Sequence, residues 1–317
     1  MYKTRFCPAK INLFLEVTGK LPNGYHELAT LFAKLNFGDT LTLEATPANE
    51  TRIEIALDGP VGNVLKADSS NLVWKAAQAF LDFFHLKAAV HITLEKHIPT
   101  GAGLGGGSSD AAGVLLCLCE IFNKDPFLLL DTAKKLGADV PLFMYSDTFL
   151  RGEGIGEKLT PVTVSGPLPY VVLAYPNTVV PTKNVFSQLR LPSQADVLTN
   201  LSKLDKLILY LQQGISFQKW KGLLFNRLEE CVLPVNDSVR KTWQEIKSKS
   251  TDLVLMSGSG STVFALVETE KQARQLVSQL QSSECTCFSA IFCGKEEDAN
   301  HRDQNTPNGG GTSKSVC

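Results

Sequence analysis

The sequence contains no uninterrupted run of about 18 apolar residues, so no membrane-spanning helix is expected. It also lacks charge imbalance, with 31 Lys and Arg against 32 Asp and Glu. Proteins that coat nucleic acid or grip a polyanion usually carry a basic excess, so neither nucleic acid nor membrane is expected as a partner. Eight cysteines are present, yet no pair is spaced CxxC and no histidine lies near them at zinc-finger spacing. Cys117 and Cys119, if helical, point roughly 200° apart and cannot share a metal. The expectation is reduced, mostly buried thiols. No apolar stretch follows the basic Met1–Arg5, so no export signal is expected and the chain reads as cytosolic.

What is present is ample apolar material, 44% of 317 residues, with the length of two domains. Residues 5–17 alternate as a strand, with Ile11, Leu13, Leu15 and Val17 on a core face. Lys10, Asn12, Phe14 and Glu16 share the other face. Gly19–Tyr25 has strong turn chemistry, and strands are expected over 28–45 and 51–58. Asn71–Phe84 reads as a helix with a stripe of Leu72, Ala76, Ala79 and Phe83. A strand at His91–Glu95 follows, then a glycine-rich loop, a helix from about Ser108 to Phe122, and a helix at Pro126–Leu136. Short strands are expected at 140–145, 148–150 and 155–162. Ser165–Leu168 reads as a break between domains. Beyond it come a strand at Tyr170–Tyr175 and helices near 184–190, 196–212 and 236–248. A strand at 252–256, a Gly/Ser turn at Ser257–Ser261, a strand at Thr262–Val267, a helix at 270–282 and a strand at 287–293 complete the pattern. Lys295–Cys317 is polar and reads as a disordered tail without a catalytic role.

The strongest local signal is PTGAGLGGGSSDAA, Pro99–Ala112. A strand precedes it and a helix follows. Glycines let backbone amides approach an anion, and the helix N-terminus adds partial positive charge. A di- or triphosphate is the natural guest, with Ser108 and Ser109 placed to reach a phosphate or its Mg²⁺. The loop is not a Walker A motif, because no lysine follows the glycines. It satisfies GxGxxG at Gly101, Gly103 and Gly106, but it falls near residue 100 rather than in a first βα turn, which disfavours a dinucleotide fold. No DFG is present, which removes a protein-kinase reading.

PTGAGLGGGSSDAA resembles the phosphate loop of the GHMP kinases. PAKINLFLEVTGKLPNGYHEL (8–28), LGADVPLF (136–143) and SGSGSTVFAL (257–266) resemble further motifs of that family. GEGIGEKLTPV (152–162), PTKNVF (181–186) and NRLE (226–229) fit between them in order. The resemblance implies an α+β, two-domain GHMP kinase fold. Its N-terminal ATP-binding domain, ribosomal protein S5 domain 2-like, is expected over 1–164, and its C-terminal domain, ferredoxin-like, over 165–294. It implies ATP as co-substrate with Mg²⁺, and an alcohol as phosphoryl acceptor. The KLPNGYHEL segment resembles members whose acceptor carries a cytidyl group, on the route to isoprenoid precursors that bypasses mevalonate.

By the same resemblance Asp139 is the candidate general base and Lys10 its partner, a cation that keeps the aspartate ionised and steadies charge on the attacking oxygen. Asn12, sharing the face of Lys10, is a candidate acceptor ligand. Tyr25 and His26 match residues that read a cytosine ring, with Phe186 on the ring's other side and Thr182 near the acceptor. Lys96, Pro99, Thr100, Gly101, Ala102, Gly103, Leu104, Gly105, Gly106, Gly107, Ser108 and Ser109 are the candidate ATP site. Asn71 fits either the adenosine or a plain helix cap. Gly258 and Gly260 fit a turn facing the substrate phosphates or a hairpin without ligand. No Mg²⁺ ligand stands out, since Asp110 fits equally as a helix start. Two rivals remain: a GHMP kinase acting on a non-nucleotide alcohol, and a non-catalytic nucleotide sensor on the same fold. The sequence leaves the oligomeric state open.

Overall fold

The computed structural model of the chain describes residues 1–62, 65–249, 253–282 and 284–294. The expected tail at 295–317 and the first residue of the strand expected at 252–256 lie outside them. The chain is α+β. A first sheet runs β3 (Arg52–Asp58), β4 (Ala88–Glu95), β2 (His26–Pro47), β1 (Tyr2–Lys20), β8 (Phe225–Asn226). β5 (Phe149–Glu153) pairs with β2, and β6 (Lys158–Pro161) with β5. The long β1 and β2 are antiparallel, while β3–β4 and β1–β8 are parallel. A second, wholly antiparallel sheet has the order β11 (Thr286–Ala290), β7 (Tyr170–Tyr175), β10 (Val263–Val267), β9 (Leu253–Met256).

Helix α1 (Leu72–Phe83) begins at Asn71, whose side chain accepts from the Val73 amide at 3.1 Å. It packs beside α2 (Gly106–Phe122), and both cover one face of the first sheet. The buried positions of α1 are Val73, Ala76, Ala77, Phe80 and Leu81. The expected stripe of Leu72, Ala76, Ala79 and Phe83 is therefore rotated. Phe83 is exposed, because the face turned to α2 is the one carrying Phe80 and Ala77. The opposite face of the first sheet meets the second sheet through Ile11, Leu13, Leu173, Phe264, Leu266 and Phe292. On the far side of the second sheet lie α8 (Glu229–Val232), α9 (Asp237–Lys249) and α10 (Glu270–Leu280). Among the described residues no helix is long and apolar enough to cross a membrane.

Several local expectations need correction. The run 140–145 is not a strand; it opens with α4 (Val140–Met144), a short helix with Pro141 in its first turn. Every α4 residue is buried, and a short apolar run surrounded by protein carries no periodicity to distinguish helix from strand. Proline also suits a helix's first turn, where its missing N–H has no intrahelical partner. The helix expected at Pro126–Leu136 divides into a 3₁₀ turn at Pro126–Leu129 and α3 (Leu130–Leu136). The strand expected from 155 begins only at Lys158. In β1 the alternation breaks after Asn12, where a register shift against β2 inserts an extra residue. Phe14, expected on the polar face, consequently packs in the same core as Ile11 and Leu13. Short helices at α7 (Phe217–Trp220) and α8 add to the expected elements, beside α5 (Thr182–Gln188) and α6 (Gln194–Gln212).

Candidate active site

The glycine loop leaves β4 and enters α2, whose N-cap Gly105 has φ 73°. Its carbonyls hold it down. Leu104 O accepts from the Lys10 amide at 2.9 Å, Ala102 O from the Thr262 amide at 3.0 Å, and Gly103 O from the Ser257 hydroxyl at 3.0 Å. Ala102 and Leu104 bury their side chains in the core between the sheets. By contrast, among the described residues no amide of residues 101–107 donates a hydrogen bond within the chain. The loop thus faces its neighbours with oxygens and keeps its N–H groups for an anion. Gly103 has φ 77°, and a methyl there would lie 2.5 Å from Ser257 O and 2.7 Å from Gly260 O, so no side chain fits.

Beside the loop is a cavity of about 470 Å³. Its walls include Leu65, Asn71, Pro99, Thr100 and the loop up to Ser108. Asn71 lines it while capping α1, so its carboxamide is occupied by the Val73 amide and the Lys66 carbonyl. Lys96 also lines the cavity, but its ammonium is turned inward. Nζ donates to Asp39 and, at 2.6 Å, to Asp110 Oδ2. Asp39 Oδ1 accepts from the amides of His97 and Ile98 at 2.6 and 2.8 Å. One buried cluster therefore ties β2, the chain entering the loop and the first turn of α2. Burial pushes the Asp110 carboxyl up to about 8 against the pull of the Lys96 ammonium that it shares with Asp39. Asp110 Oδ1 and Ser109 Oγ are buried without a hydrogen-bond partner.

Lys10 and Asp139 come together at the other end of the loop. Lys10 Nζ lies 3.5 Å from Asp139 Oδ2 and donates to Asn12 Oδ1 at 2.9 Å. Asn12 Nδ2 donates to Thr30 Oγ1 at 2.9 Å, and that hydroxyl donates to Phe14 O at 2.6 Å. The polar chain is buried except at Asp139, whose side chain is 34% exposed. Asp139 is the N-cap of α4 yet bonds none of its amides, so the carboxylate is not used as a helix cap. A methyl on Gly105 would touch the Lys10 stem at 3.0 Å, and one on Gly258 would lie 3.3 Å from both Lys10 Nζ and Asn12 Oδ1. The lysine is therefore flanked by the glycine loop on one side and by the Ser257–Ser261 turn on the other. Thr182 joins this turn, its hydroxyl 2.8 Å from Ser259 Oγ.

His26 and Phe186 stack directly on each other, centroids 5.2 Å apart and planes 27° off parallel. No third ring fits between those two. Tyr25, next to His26 in sequence, is 59% exposed. Burial, with a contribution from Lys20, lowers the His26 imidazole below its usual range, so the ring is neutral with one N–H donor and one acceptor nitrogen.

Residues 71–147 match the family described as GHMP kinases N terminal domain, and residues 208–285 match GHMP kinases C terminal. A protein of Lachnoclostridium phytofermentans named 4-diphosphocytidyl-2-C-methyl-D-erythritol kinase is 35% identical over 84% of this chain and 88% of its own length. One of the same name from Deinococcus radiodurans is 36% identical over 87% of each. The chain belongs to the GHMP kinase family. Among solved structures, a 4-(cytidine 5'-diphospho)-2C-methyl-D-erythritol kinase is similar, with 32% identity, TM-score 0.71, and 92% of this chain and 99% of that one covered. A homoserine kinase from Cytophaga hutchinsonii shares the GHMP fold at 15% identity, TM-score 0.73, with 92% and 95% covered. GHMP kinases use ATP as co-substrate, which fits a loop of unpaired amides beside a cavity.

Asp39 and Asn226 escaped the sequence reading as site residues. The signal for Asp39 was an acid inside the apolar run LNFGDTLTL; for Asn226 it was the polar Asn-Arg pair after the apolar GLLF.

Proposed function

We propose that this chain transfers the γ-phosphoryl group of ATP to the 2-hydroxyl of 4-diphosphocytidyl-2-C-methyl-D-erythritol, giving the 2-phosphate and ADP in the non-mevalonate route to isoprenoid precursors. The observation that carries the reading is the meeting of Lys10 and Asp139 at 3.5 Å beside a loop of unpaired amides. Relatives of that name spanning most of the chain support the choice of acceptor.

Amides of Gly101–Gly107 and the N-terminus of α2 bind the ATP phosphates, and the cavity past Pro99 receives the nucleoside. Asp139 takes the proton from the acceptor hydroxyl as its oxygen bonds to the γ-phosphorus and the bond to the ADP oxygen breaks. The transition state of such a transfer is loose, so placing the two oxygens in line matters more than a strong base. Lys10, held by Asn12 and Thr30, pairs with Asp139 and offers positive charge to the incoming oxygen. Tyr25, His26 and Phe186 form the cytosine-reading face, with His26 braced by Phe186 and a base laid on the outer side of that stack rather than between the two rings. Thr182, tied to Ser259, faces the acceptor.

Mg²⁺ fits this site through oxygen donors at the start of α2. Ser108 and Ser109 would hold it together with the ATP phosphates, and the unpartnered hydroxyl of Ser109 suits a hard cation. Among the described residues no three His, Cys, Asp or Glu side chains gather as a metal cage, in keeping with an ion carried largely by the nucleotide. Bound there, Mg²⁺ would supply positive charge to the phosphate oxygens.

The test is a coupled ADP-release assay with purified protein, ATP and Mg²⁺ over a panel of alcohols that includes homoserine, mevalonate and the cytidyl compound. Turnover restricted to the cytidyl compound is expected. Preference for a non-nucleotide alcohol would overturn the acceptor assignment, and no turnover with any would leave a nucleotide-binding protein without kinase activity.

A further inference from the structure

The second sheet has a free edge at β9, and the way it is closed reaches the reacting groups. In an antiparallel pair the backbone groups of successive residues face alternately toward and away from the partner. Ser257 N–H donates to Thr262 O at 2.9 Å across the β9–β10 ladder. One residue earlier, Met256 therefore turns both its N–H and its C=O outward, where an edge strand normally meets water or another strand.

Two side chains from the segment beginning at β8 take both groups. Glu229 Oε1 accepts from the Met256 amide at 2.7 Å, and Asn226 Nδ2 donates to Met256 O at 2.7 Å. The second hydrogen of Asn226 goes to Gly258 O at 2.8 Å, and its Oδ1 accepts from the Leu228 amide at 2.9 Å. Asn226 is 2% exposed. Its own backbone lies in β8, in register with Leu15 of β1, and the next amide, Arg227 N–H, donates to Leu15 O at 2.8 Å. β1 is the strand that carries Lys10 and Asn12. Asn226 thus stands on the strand paired with the lysine-bearing one and grips the turn that faces the lysine.

We propose that Asn226 is a positioning residue for phosphoryl transfer, its carboxamide holding the Gly258 turn in register with Lys10 and Asn12. The inference rests on the kinase reading above. A carboxamide is required because the two carbonyls need two N–H donors while the Leu228 amide needs an acceptor; asparagine offers all three in one plane. The turn in its place puts Ser257 on the glycine loop and Ser259 on Thr182, so a small shift would disturb both ends of the site at once.

The isosteric Asn226→Asp change tests this. It keeps the Leu228 contact and sets an oxygen against two carbonyl oxygens. In the full-length protein kcat is expected to fall about tenfold or more, as sub-ångström misplacement at a reacting centre does, while KM for the cytidyl substrate stays within about threefold. Relative to the parent protein, activity should rise as pH falls, because a protonated Asp regains one donor. Leu276→Ala, a core change in α10 away from the turn, serves as the control for lost stability. Asn226→Asp with parental kcat would overturn the proposal, and so would an equal loss of kcat in Leu276→Ala at the same loss of melting temperature. Amide exchange gives a readout independent of turnover. Asn226→Asp is expected to speed exchange selectively over 256–262, and unchanged protection there overturns the proposal whatever the activity. If the parent protein fails to phosphorylate the cytidyl compound while exchange rises as expected, the acceptor reading fails and the role of Asn226 in placing the turn stands.

Discussion

At the scale of single residues, the proposed site separates an open carboxylate from the buried groups that hold its partner. Asp139 is half-open and unengaged as a cap, whereas Lys10 and Asn12 are buried and bonded. Asp139→Asn keeps the size and removes the base, so kcat is expected to fall by roughly 10²- to 10⁴-fold with ATP binding retained. Calorimetric titration with a non-hydrolysable ATP analogue beside the ADP-release assay checks both halves; parental turnover would remove the base assignment. His26→Ala withdraws the ring that braces Phe186, and base stacking contributes about 1–3 kcal/mol. KM for the cytidyl substrate should rise about tenfold or more while KM for ATP holds. Lys96 shows what sequence reading could not reach. The family resemblance places it in the candidate ATP site, but its ammonium is taken by Asp39 and Asp110, and Asp39 enters from a different strand.

Among the elements, the glycine loop was legible because its chemistry is written in consecutive residues. Its glycines are not equivalent, however. Gly103 sits where a methyl would strike two carbonyl oxygens, while at Gly107 nothing lies within 4 Å. Gly103→Ala is expected to abolish measurable ATP binding or folding, and Gly107→Ala to bind ATP as the parent does. Equal behaviour of the two variants in the titration would show that the loop adjusts freely. Element α4 was misread as a strand because burial on all sides erased its pattern. The rotated stripe of α1 has the same origin: nine of its twelve residues are small or apolar and allow more than one face, and contact with α2 selects among them.

For the whole molecule, apolar packing joins the two sheets, and a buried ion pair ties β1 to the segment that leaves β8. Both oxygens of Glu16 in β1 accept from Arg227, at 2.7 Å each, and Asn200 of α6 donates to the same carboxylate. Removing one member of such a pair strands the other in a poor solvent for charge, so Glu16→Ala should lower unfolding stability by about 3 kcal/mol, read from urea titration. The Glu229 carboxyl, pushed by burial from 4.5 to about 7, makes stability depend on pH. Between those values the folded state holds a proton that the unfolded state has released, so this group's contribution is present at low pH and is lost as pH rises through the window. Glu229→Gln, which keeps an oxygen for the Met256 amide, should therefore gain on the parent in urea midpoint from pH 5 to pH 8. A difference that stays constant with pH would sink the assignment.

The sequence by itself determined the glycine-rich loop between strand and helix and the order of most strands and helices, because each is encoded by neighbours along the chain or by short motifs. Only the tertiary structure decided that Lys96 faces inward, that β1 shifts register after Asn12, that His26 stacks on Phe186, and that Asn226 closes the β9 edge. Those outcomes depend on which distant groups share a low-dielectric interior and must satisfy one another's hydrogen bonds, and no local pattern records that choice.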